Sequence, residues 1–515
     1  MSNRNSLLNA IIEFNGLDSK QINQLFNPID FKISDHTLFK DAEKIILNMI
    51  KENKKIIVCG DYDADGICST TILFRTLKKL NADVGYYIPN RFKEGYGLND
   101  NTVDLALGKG YELFILVDNG VSADSSLKKI KDAGKTCIIL DHHSYEGDVL
   151  CDCLVHPNLL DEDYRDMCGS GLAYNLSERL IGYDTFNVSL AGIATIADLM
   201  PLWGFNRSLV SKSLFEINHN QAQVFMNLLN VSKSINETDL AFQLVPKLNA
   251  IGRLADIIDV NQVVKYLCLD NLNSIDTFSK EIIRVNDLRK EINQKMYVKA
   301  LEMITDDKVI VLFDETFHEG IVGITAGRLS SELKKPVFVL NREGSRLKGS
   351  ARSYGSIDLR ELVTPALSLL NRFGGHSQAA GLELDIENVD LFKQLINENT
   401  SALIQHSQDE HYLEMKNDWL SISVFEELSQ YGPFGQGIQI PSFKFNDFVI
   451  KSNRIIRGGI SFDLSVNNMM ISAVYFQSVL DERLIQSNFS SFIGRVTLDE
   501  FRGIKKLKIM IESFE

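Results

Sequence analysis

The 515-residue sequence predicts an α/β protein: a parallel-sheet domain, a long connecting helix, a second α/β domain and a small C-terminal β-barrel. Three observations carry that expectation. Apolar, β-branched runs alternate with helix-like segments between residues 56 and 144. Residues 272–304 place apolar side chains at helical spacing with no Gly or Pro. After residue 443 the chain turns to short runs of alternating character.

Taken in order, the first 40 residues read as helical and end in a loop around Asn27 and Pro28, and residues 41–52 read as an amphipathic helix that feeds the first strand. That strand opens residues 56–66, IIVCGDYDADG, and stops in three acids at alternate positions, Asp61, Asp63 and Asp65, followed by Gly66. Carboxylates so close raise one another's pKa unless a cation stands among them; the alternative is a solvated acidic turn. Helix-like segments at 68–80, 98–109 and 123–133 separate further strands at 83–89, at 111–122, which carries Asp118, and at 135–144, which ends in Asp141, His142 and His143. Parallel sheets collect ligands at the carboxyl ends of their strands, so these motifs are expected on one edge. Asp198, which interrupts the apolar run IATIADLMPL (193–202), is a fourth candidate; a helix cap is its alternative.

From there to about residue 270 the pattern is a run of helices, followed by the long helix of 272–304. Strands at 307–315 and 335–343 enclose a helix at 322–333 and begin the second α/β domain. Two polar, glycine-bearing stretches follow, GSARSYGSIDL (349–359) and FGGHSQAAGLEL (373–384), both read as loops. Gly374, Gly375 and His376 in the second are candidates for close backbone approach to an anion, with a tight turn before a helix as the alternative. Residues 401–430 read as connector and 431–443 as a Gly/Pro-rich loop. Five strands, FKFNDFVIK, GISFDLSV, MMISAVYF, SSFIGRVTL and KKLKIMIES, then suit a small barrel.

DYDADG, VDNG, DHH and ADLMPL, in that order and spacing, resemble the four motifs of the DHH phosphoesterase superfamily. Within it, HEGIVGI, GSARS and FGGH extend the resemblance to the RecJ-like single-strand exonucleases, from about residue 30 onward. The resemblance implies an N-terminal helical segment (1–40), a DHH catalytic domain (41–212), a helical connector with a long interdomain helix (213–304), a DHH-associated nucleic-acid-binding domain (305–405) and an OB-type domain (416–515). It implies Asp61, Asp63, Asp118, His142 and Asp198 as metal ligands, Asp65 as a ligand or its support, Asp141 as the orienter of an imidazole, and His143 on the scissile phosphate. It implies Arg91 on the strand's phosphates, and Arg253, Ser350 and Arg352 on a terminal 5′-phosphate beyond the metal cluster, in a channel between the two α/β domains that admits one strand. Guanidinium groups suit that task because they grip phosphate bidentately.

An oxygen-rich ligand set with imidazole favours Mn²⁺, with Mg²⁺ as a weaker substitute, and a shared carboxylate such as Asp63 or Asp118 would hold two ions about 3.5 to 4 Å apart. One departure stands out: the family commonly has a His two residues before the first Asp, or earlier still, where this chain has Cys59 and Ile57, which implies a first metal position short of a ligand.

Composition narrows the class. A net charge of −14 argues against a generic nucleic-acid coat, yet cations cluster locally at Lys247 and Arg253, at 342–352, at 451–457 and at 502–508. Seven cysteines and no apolar leader point to a reduced, cytoplasmic protein without structural disulfides. The spacing of Cys151, Cys153, His156 and Cys168 is poor for structural zinc. The expected activity is metal-dependent 5′ to 3′ hydrolysis of single-stranded DNA, with single-strand-binding protein and a helicase as family-implied partners. Two alternatives stand beside it: a DHH phosphodiesterase for short oligonucleotides or cyclic dinucleotides, which generally lacks a C-terminal barrel, and a catalytically weak replication scaffold, which loses metal ligands.

Overall fold

A computed structural model describes residues 6–95, 97–230, 234–403, 412–456, 458–467, 469–476, 482–486, 489–501 and 504–514. The chain divides into two compact units, one of Met1–Asn249, Asp259–Ser279 and His411–Glu515, the other of Ala250–Ile258 and Lys280–Glu410.

The first unit is centred on a five-stranded, fully parallel sheet of β1 (Lys55–Cys59), β2 (Val84–Tyr87), β3 (Tyr111–Val117), β4 (Thr136–Leu140) and β5 (Cys153–Val155). Its inner strands are buried nearly throughout, which is why β1, β3 and β4 read as continuous apolar runs rather than alternating ones. Three residues are too few for β5 to show as a run. The strand order is β2-β1-β3-β4-β5. The chain therefore winds to one side of β1 and then to the other, leaving a crevice at the carboxyl ends of β1 and β3 where an α/β sheet takes its ligand.

Helix Ala64–Lys79 begins earlier than its apolar spacing implies, because Asp63 caps it: Oδ1 accepts the amides of Asp65 and Gly66 at 3.0 and 3.1 Å. Gly66 is required there, since a Cβ would lie 2.3 Å from the Asp61 carbonyl oxygen. Helices Ser6–Phe14 and Ser19–Phe26 form the N-terminal segment, and helix Thr37–Lys51 precedes β1. The expected run of helices after Asp198 is present, from Gly204–Asn220 to Asn261–Leu267, and Leu272–Glu302 is one continuous helix.

In the second unit, β6 (Ile310–Asp314), β7 (Val337–Glu343), β8 (Arg346–Arg352), β9 (Leu370–Gly375) and β10 (Ala379–Asp385) form a sheet in the order β6-β7-β8-β10-β9, parallel only between β6 and β7. Helix Val322–Leu333 lies where the sequence places it. The two expected loops are corrected. Gly349–Arg352 belongs to β8, and Gly374, Gly375 and His376 form the end of β9 and the hairpin into β10 rather than a turn before a helix. Glycine and serine conceal these strands. The inward residues Leu347, Ala351, Ala380, Leu382 and Leu384 alternate along β8 and β10 and join the core of this unit.

Among the described residues, the C-terminal part of the first unit has seven strands rather than five: β11 (Tyr412–Glu414), β12 (Ser442–Phe445), β13 (Val449–Ile456), β14 (Gly459–Val466), β15 (Met469–Phe476), β16 (Phe492–Phe501) and β17 (Ile504–Phe514), in the order β11-β12-β16-β17-β15-β14-β13. FKFNDFVIK is two strands, and the expected connector supplies β11 and helix Ile422–Ser429. Phe443, Phe445, Phe462 and Phe492 fill the interior. Of the expected cation clusters, Arg457 and Arg502 lie outside the described residues. No helix among the described residues is long and apolar enough to cross a membrane.

Candidate metal centre and phosphate-gripping residues

Each strand end on the crevice delivers a carboxylate. Asp61 follows β1, Asp118 follows β3 and Asp141 follows β4. Asp118 is only 2% exposed and sits at φ 58°, a left-handed conformation that Asp tolerates better than most residues. Its amide donates to the Leu140 carbonyl at 2.9 Å, and Gly169 packs so closely that a Cβ there would stand 2.7 Å from the Asp118 Cβ. Asp198 arrives from a helix end: it is the C-cap of Thr185–Ala197. Its role as cap and its place in the cluster coexist.

Potential ligand atoms gather in three overlapping groups, each within 4.8 Å: Asp61, Asp63 and Asp118; Asp65, His142 and Asp198; Asp118, His142 and His143. His142 Nε2 lies 3.1 Å from Asp118 Oδ1, 3.4 Å from Asp198 Oδ2 and 3.8 Å from Asp65 Oδ2. Burial, reinforced by mutual repulsion, pushes Asp61, Asp63 and Asp118 above the usual carboxylate range and Asp198 up to about 8. Burial also lowers the His142 pKa, which leaves its ring neutral, the form that binds a metal. Asp61 Oδ1 is buried with no hydrogen-bond partner. Crowded carboxylates, a neutral imidazole and an orphaned acceptor fit the donor set that a divalent cation with oxygen-rich ligation requires.

Asp141 is different in kind. It accepts from the amides of Val121, His142 and His143, and its Oδ1 lies 2.7 Å from His143 Nδ1. Burial alone would raise its pKa, but the hydrogen bond to His143 and that ring's charge hold it below the usual range. Burial would likewise lower His143, yet the bond to Asp141 raises it to about 9, so the ring is positively charged at neutral pH. Asp141 thus fixes both the orientation and the charge of His143. Asp141→Asn is expected to move the alkaline fall of activity to lower pH, because His143 then deprotonates earlier; a pH–rate profile of both proteins measures it.

The sequence groups Asp65 with the ligands, and the structure shows why it also acts as a support. Its two oxygens accept the amides of Gly169 and Ser170 at 2.7 Å each, at the N-terminus of helix Gly169–Ile181. Sequence reasoning missed that helix start, although CGSG before an apolar run was legible as one. It also missed Asn249, whose Oδ1 accepts the Ala64 amide at 2.7 Å, and Asn119, which ties the β1 and β3 ends together through the Cys59 and Val117 carbonyls. Nothing local marks such long-range acceptors.

Cys59, at the position where a family ligand is expected, lies instead in the apolar cluster with Ile57, Val103 and Phe114, and burial pushes its thiol up to about 12. Both ring nitrogens of His156 are engaged, Nε2 with the His143 carbonyl at 3.0 Å and Nδ1 with the Asn158 amide at 3.2 Å.

Arg91 belongs to this centre, its guanidinium 5.0 Å from the Tyr62 ring and its charge favouring ionised Asp61. Its turn is braced by Glu94, which accepts from Tyr87 Oη and the Asn90 amide. In the second unit, Ser350 and Arg352 are alternate residues of β8 and share a face. That face meets the first turn of helix Val322–Leu333, where a Cβ on Gly323 would be 3.1 Å from Arg352 Nη2 and 3.4 Å from Ser350 Oγ. Arg253 ends helix Val245–Arg253.

Comparison with known proteins gives a consistent pattern. The DHH family N-terminal domain matches residues 55–200, the DHHA1 domain 306–402 and the RecJ OB domain 413–513. The chain is 32% identical over 448 residues to the single-stranded-DNA-specific exonuclease RecJ of Salmonella typhimurium, covering 78% of this chain and 77% of that one. It is 30% identical over 499 residues to RecJ of Bacillus subtilis, covering 92% of this chain but 63% of the relative, so it spans less than two thirds of that protein's length. Among solved structures, RecJ of Thermus thermophilus in complex with Mn²⁺ superposes with a TM-score of 0.80 at 25% identity, covering 99% of this chain and 76% of that one. The same protein in complex with Mg²⁺ gives 0.74.

Proposed function

The chain belongs to the RecJ family of DHH phosphoesterases, and from that premise we propose that it is a metal-dependent exonuclease that degrades single-stranded DNA from the 5′ end to nucleoside 5′-monophosphates. The observation that supports this most directly is the convergence of Asp61, Asp63, Asp118, His142 and Asp198 at the crevice of a parallel sheet. Mn²⁺ would be the preferred ion and Mg²⁺ a weaker substitute, and Asp118, which belongs to two of the ligand groups, is the carboxylate that could serve both. A bound pair of such ions supplies charge neutralisation at the phosphate oxygens and a water of lowered pKa.

The residues of the chain do the rest. Asp61, Asp63, Asp118, His142 and Asp198 would hold the ions, with Asp65 anchoring the group to a helix start. Asp141 holds His143 charged and oriented, so that its Nε2–H donates to the scissile phosphate and stabilises charge that grows in the transition state. Arg91 steadies the strand by a phosphate next to the centre, while Arg253, Ser350 and Arg352 receive the terminal 5′-phosphate.

The scaffold reading loses ground because the acids are present and gathered, and the short-oligonucleotide reading because a RecJ OB domain matches this chain. Single-strand-binding protein and a helicase in the cytoplasm are the partners and place that the family implies.

The test is digestion of 5′-labelled and 3′-labelled strands of DNA and RNA. With Mn²⁺ present, label should leave first as mononucleotide from the 5′ end of single-stranded DNA. Blunt duplex should resist, and a chelator should stop the reaction. Mononucleotides released first from the 3′ end, or equal activity with Ca²⁺, would overturn the reading.

A further inference from the structure

Asp198 enters the candidate centre from a helix end rather than from a strand end. It ends a helix, its carboxylate is repelled by Asp65 and Asp63, and it is followed by Leu199 at φ 53° with its side chain 73% exposed. A leucine in left-handed backbone that buries nothing costs free energy and persists only where surrounding structure dictates it. The helix end itself dictates it, since the Leu199 amide donates to the Ile196 carbonyl at 3.3 Å and the Met200 amide to the Thr195 carbonyl at 3.1 Å; the turn beyond is held by a segment more than two hundred residues away.

The segment Tyr431–Gln439 of the C-terminal domain runs along the turn that follows Asp198. The Leu202 amide donates to the Gln436 carbonyl at 2.8 Å, and Trp203 Nε1 donates to the Gly437 carbonyl at 3.1 Å. The fit leaves no room for a Cβ at two positions of the segment: one on Gly435 would be 2.8 Å from Leu202 Cδ1, and one on Gly437, at φ 83°, 2.8 Å from Trp203 Nε1. One helical turn further on, Arg207 is 5% exposed, and its guanidinium donates to three successive carbonyls of the segment, Tyr431, Gly432 and Pro433. Burial lowers its pKa to about 10, so it stays charged, opposite Glu237, which in turn accepts the Phe434 amide. Asn206, also buried, donates to the Pro201 carbonyl and closes the turn from the other side.

A buried arginine spent on three carbonyls of another domain is costly to desolvate, and a flexible tether would not need it. We propose that Tyr431–Gln439 is a strut for the Asp198 turn and Arg207 its positioning residue, so that the C-terminal domain completes the scaffold of the metal centre as well as offering a surface for the strand. The proposal rests on the metal-site reading above.

The test uses the full-length chain and measures Mn²⁺ binding in the absence of nucleic acid, by calorimetry or by the resonance signal of free Mn²⁺. Arg207→Lys keeps the charge but cannot reach three carbonyls; its Mn²⁺ affinity should fall about tenfold, the usual cost of losing a group that orients a ligand. Cleavage of a 5′-phosphorylated trinucleotide should shift to higher Mn²⁺ by the same factor and recover at saturation, with the strand KM unchanged. Trp203→Phe removes one hydrogen bond and should give a smaller shift in the same direction, which keeps the test alive if Arg207→Lys folds poorly. Asp198→Asn serves as the reference: if it leaves Mn²⁺ binding intact, the site itself has been misread. If Asp198→Asn weakens binding while Arg207→Lys and Trp203→Phe change only the melting temperature or the KM for long strands, the strut is wrong and the segment is only a joint.

Discussion

Asp118→Asn is expected to abolish strand hydrolysis while leaving the metal-free protein at least as stable as the wild type. Asp118 is the carboxylate common to two ligand groups, so its loss removes a donor from both groups at once. The Lewis-acid contribution of such ions is several kcal/mol, and forfeiting about 4 kcal/mol slows turnover roughly a thousandfold. Stability moves the other way because Asp118 is buried among Asp65, Asp63, Asp61 and Asp141, all of which raise its pKa; an amide of the same shape removes a charge that only a cation compensates. The same logic fixes a pH dependence. A carboxylate whose pKa is higher folded than unfolded stabilises the protonated fold, and that stability is lost as pH rises from about 4 towards the folded value. For Asp198 the folded value is about 8. The melting temperature of metal-free wild type should therefore fall across that window more steeply than that of Asp198→Asn, and added Mn²⁺ should reverse the fall. Near-normal turnover by Asp118→Asn, measured on single-stranded DNA with Mn²⁺, would rule out the two-ion centre.

Much of this centre is legible in the sequence because its chemistry sits at strand ends. An apolar run that stops at Asp61, Asp118 or Asp141 gives both the strand and its direction, and parallel packing does the rest. The elements that escaped are those whose signal is not local. β8 and β10 bury only alternate residues, and β8 and β9 carry glycine where neighbouring strands are close: a Cβ on Gly349 would stand 2.1 Å from the Val339 carbonyl and one on Gly375 2.4 Å from the Ala379 carbonyl. Their glycines are there for close strand packing, but in sequence they resemble loops. Asn249, the Gly169–Ser170 amides and Arg207 act across 104 to 226 residues of chain. No periodicity or spacing reports such contacts. Cys59 and Ile57 stand where the family has a His, so the sequence leaves the first metal position short of a ligand there, and the pleat of β1 turns both side chains into the core.

Arg352→Ala should all but remove the preference for a phosphorylated over a hydroxyl 5′ end, while turnover at saturating substrate changes little. The reasoning begins with β8, whose pleat sets Ser350 and Arg352 on one face with buried Ala351 between them on the other. Arg352 Nη1 donates to the Ala351 carbonyl at 2.8 Å, which fixes the plane of the guanidinium, and Gly323 opens space for it at the first turn of a twelve-residue helix. A phosphate there would meet a bidentate guanidinium, a hydroxyl and helix amides together. A charge-assisted contact of that kind is worth about 2 kcal/mol, or roughly thirtyfold in discrimination. Polarity follows from the chemistry of the product. If the terminal phosphate is gripped, hydrolysis that breaks the bond between phosphorus and the 3′-oxygen releases a nucleoside 5′-monophosphate and leaves a new 5′-phosphate on the strand, ready for the same grip. Gly323→Ala crowds Arg352 without removing it and should cost less, in the same direction. Competition between 5′-phosphorylated and 5′-hydroxyl oligonucleotides measures both, and an Arg352→Ala enzyme with the wild-type preference would show that the end of the strand is read elsewhere.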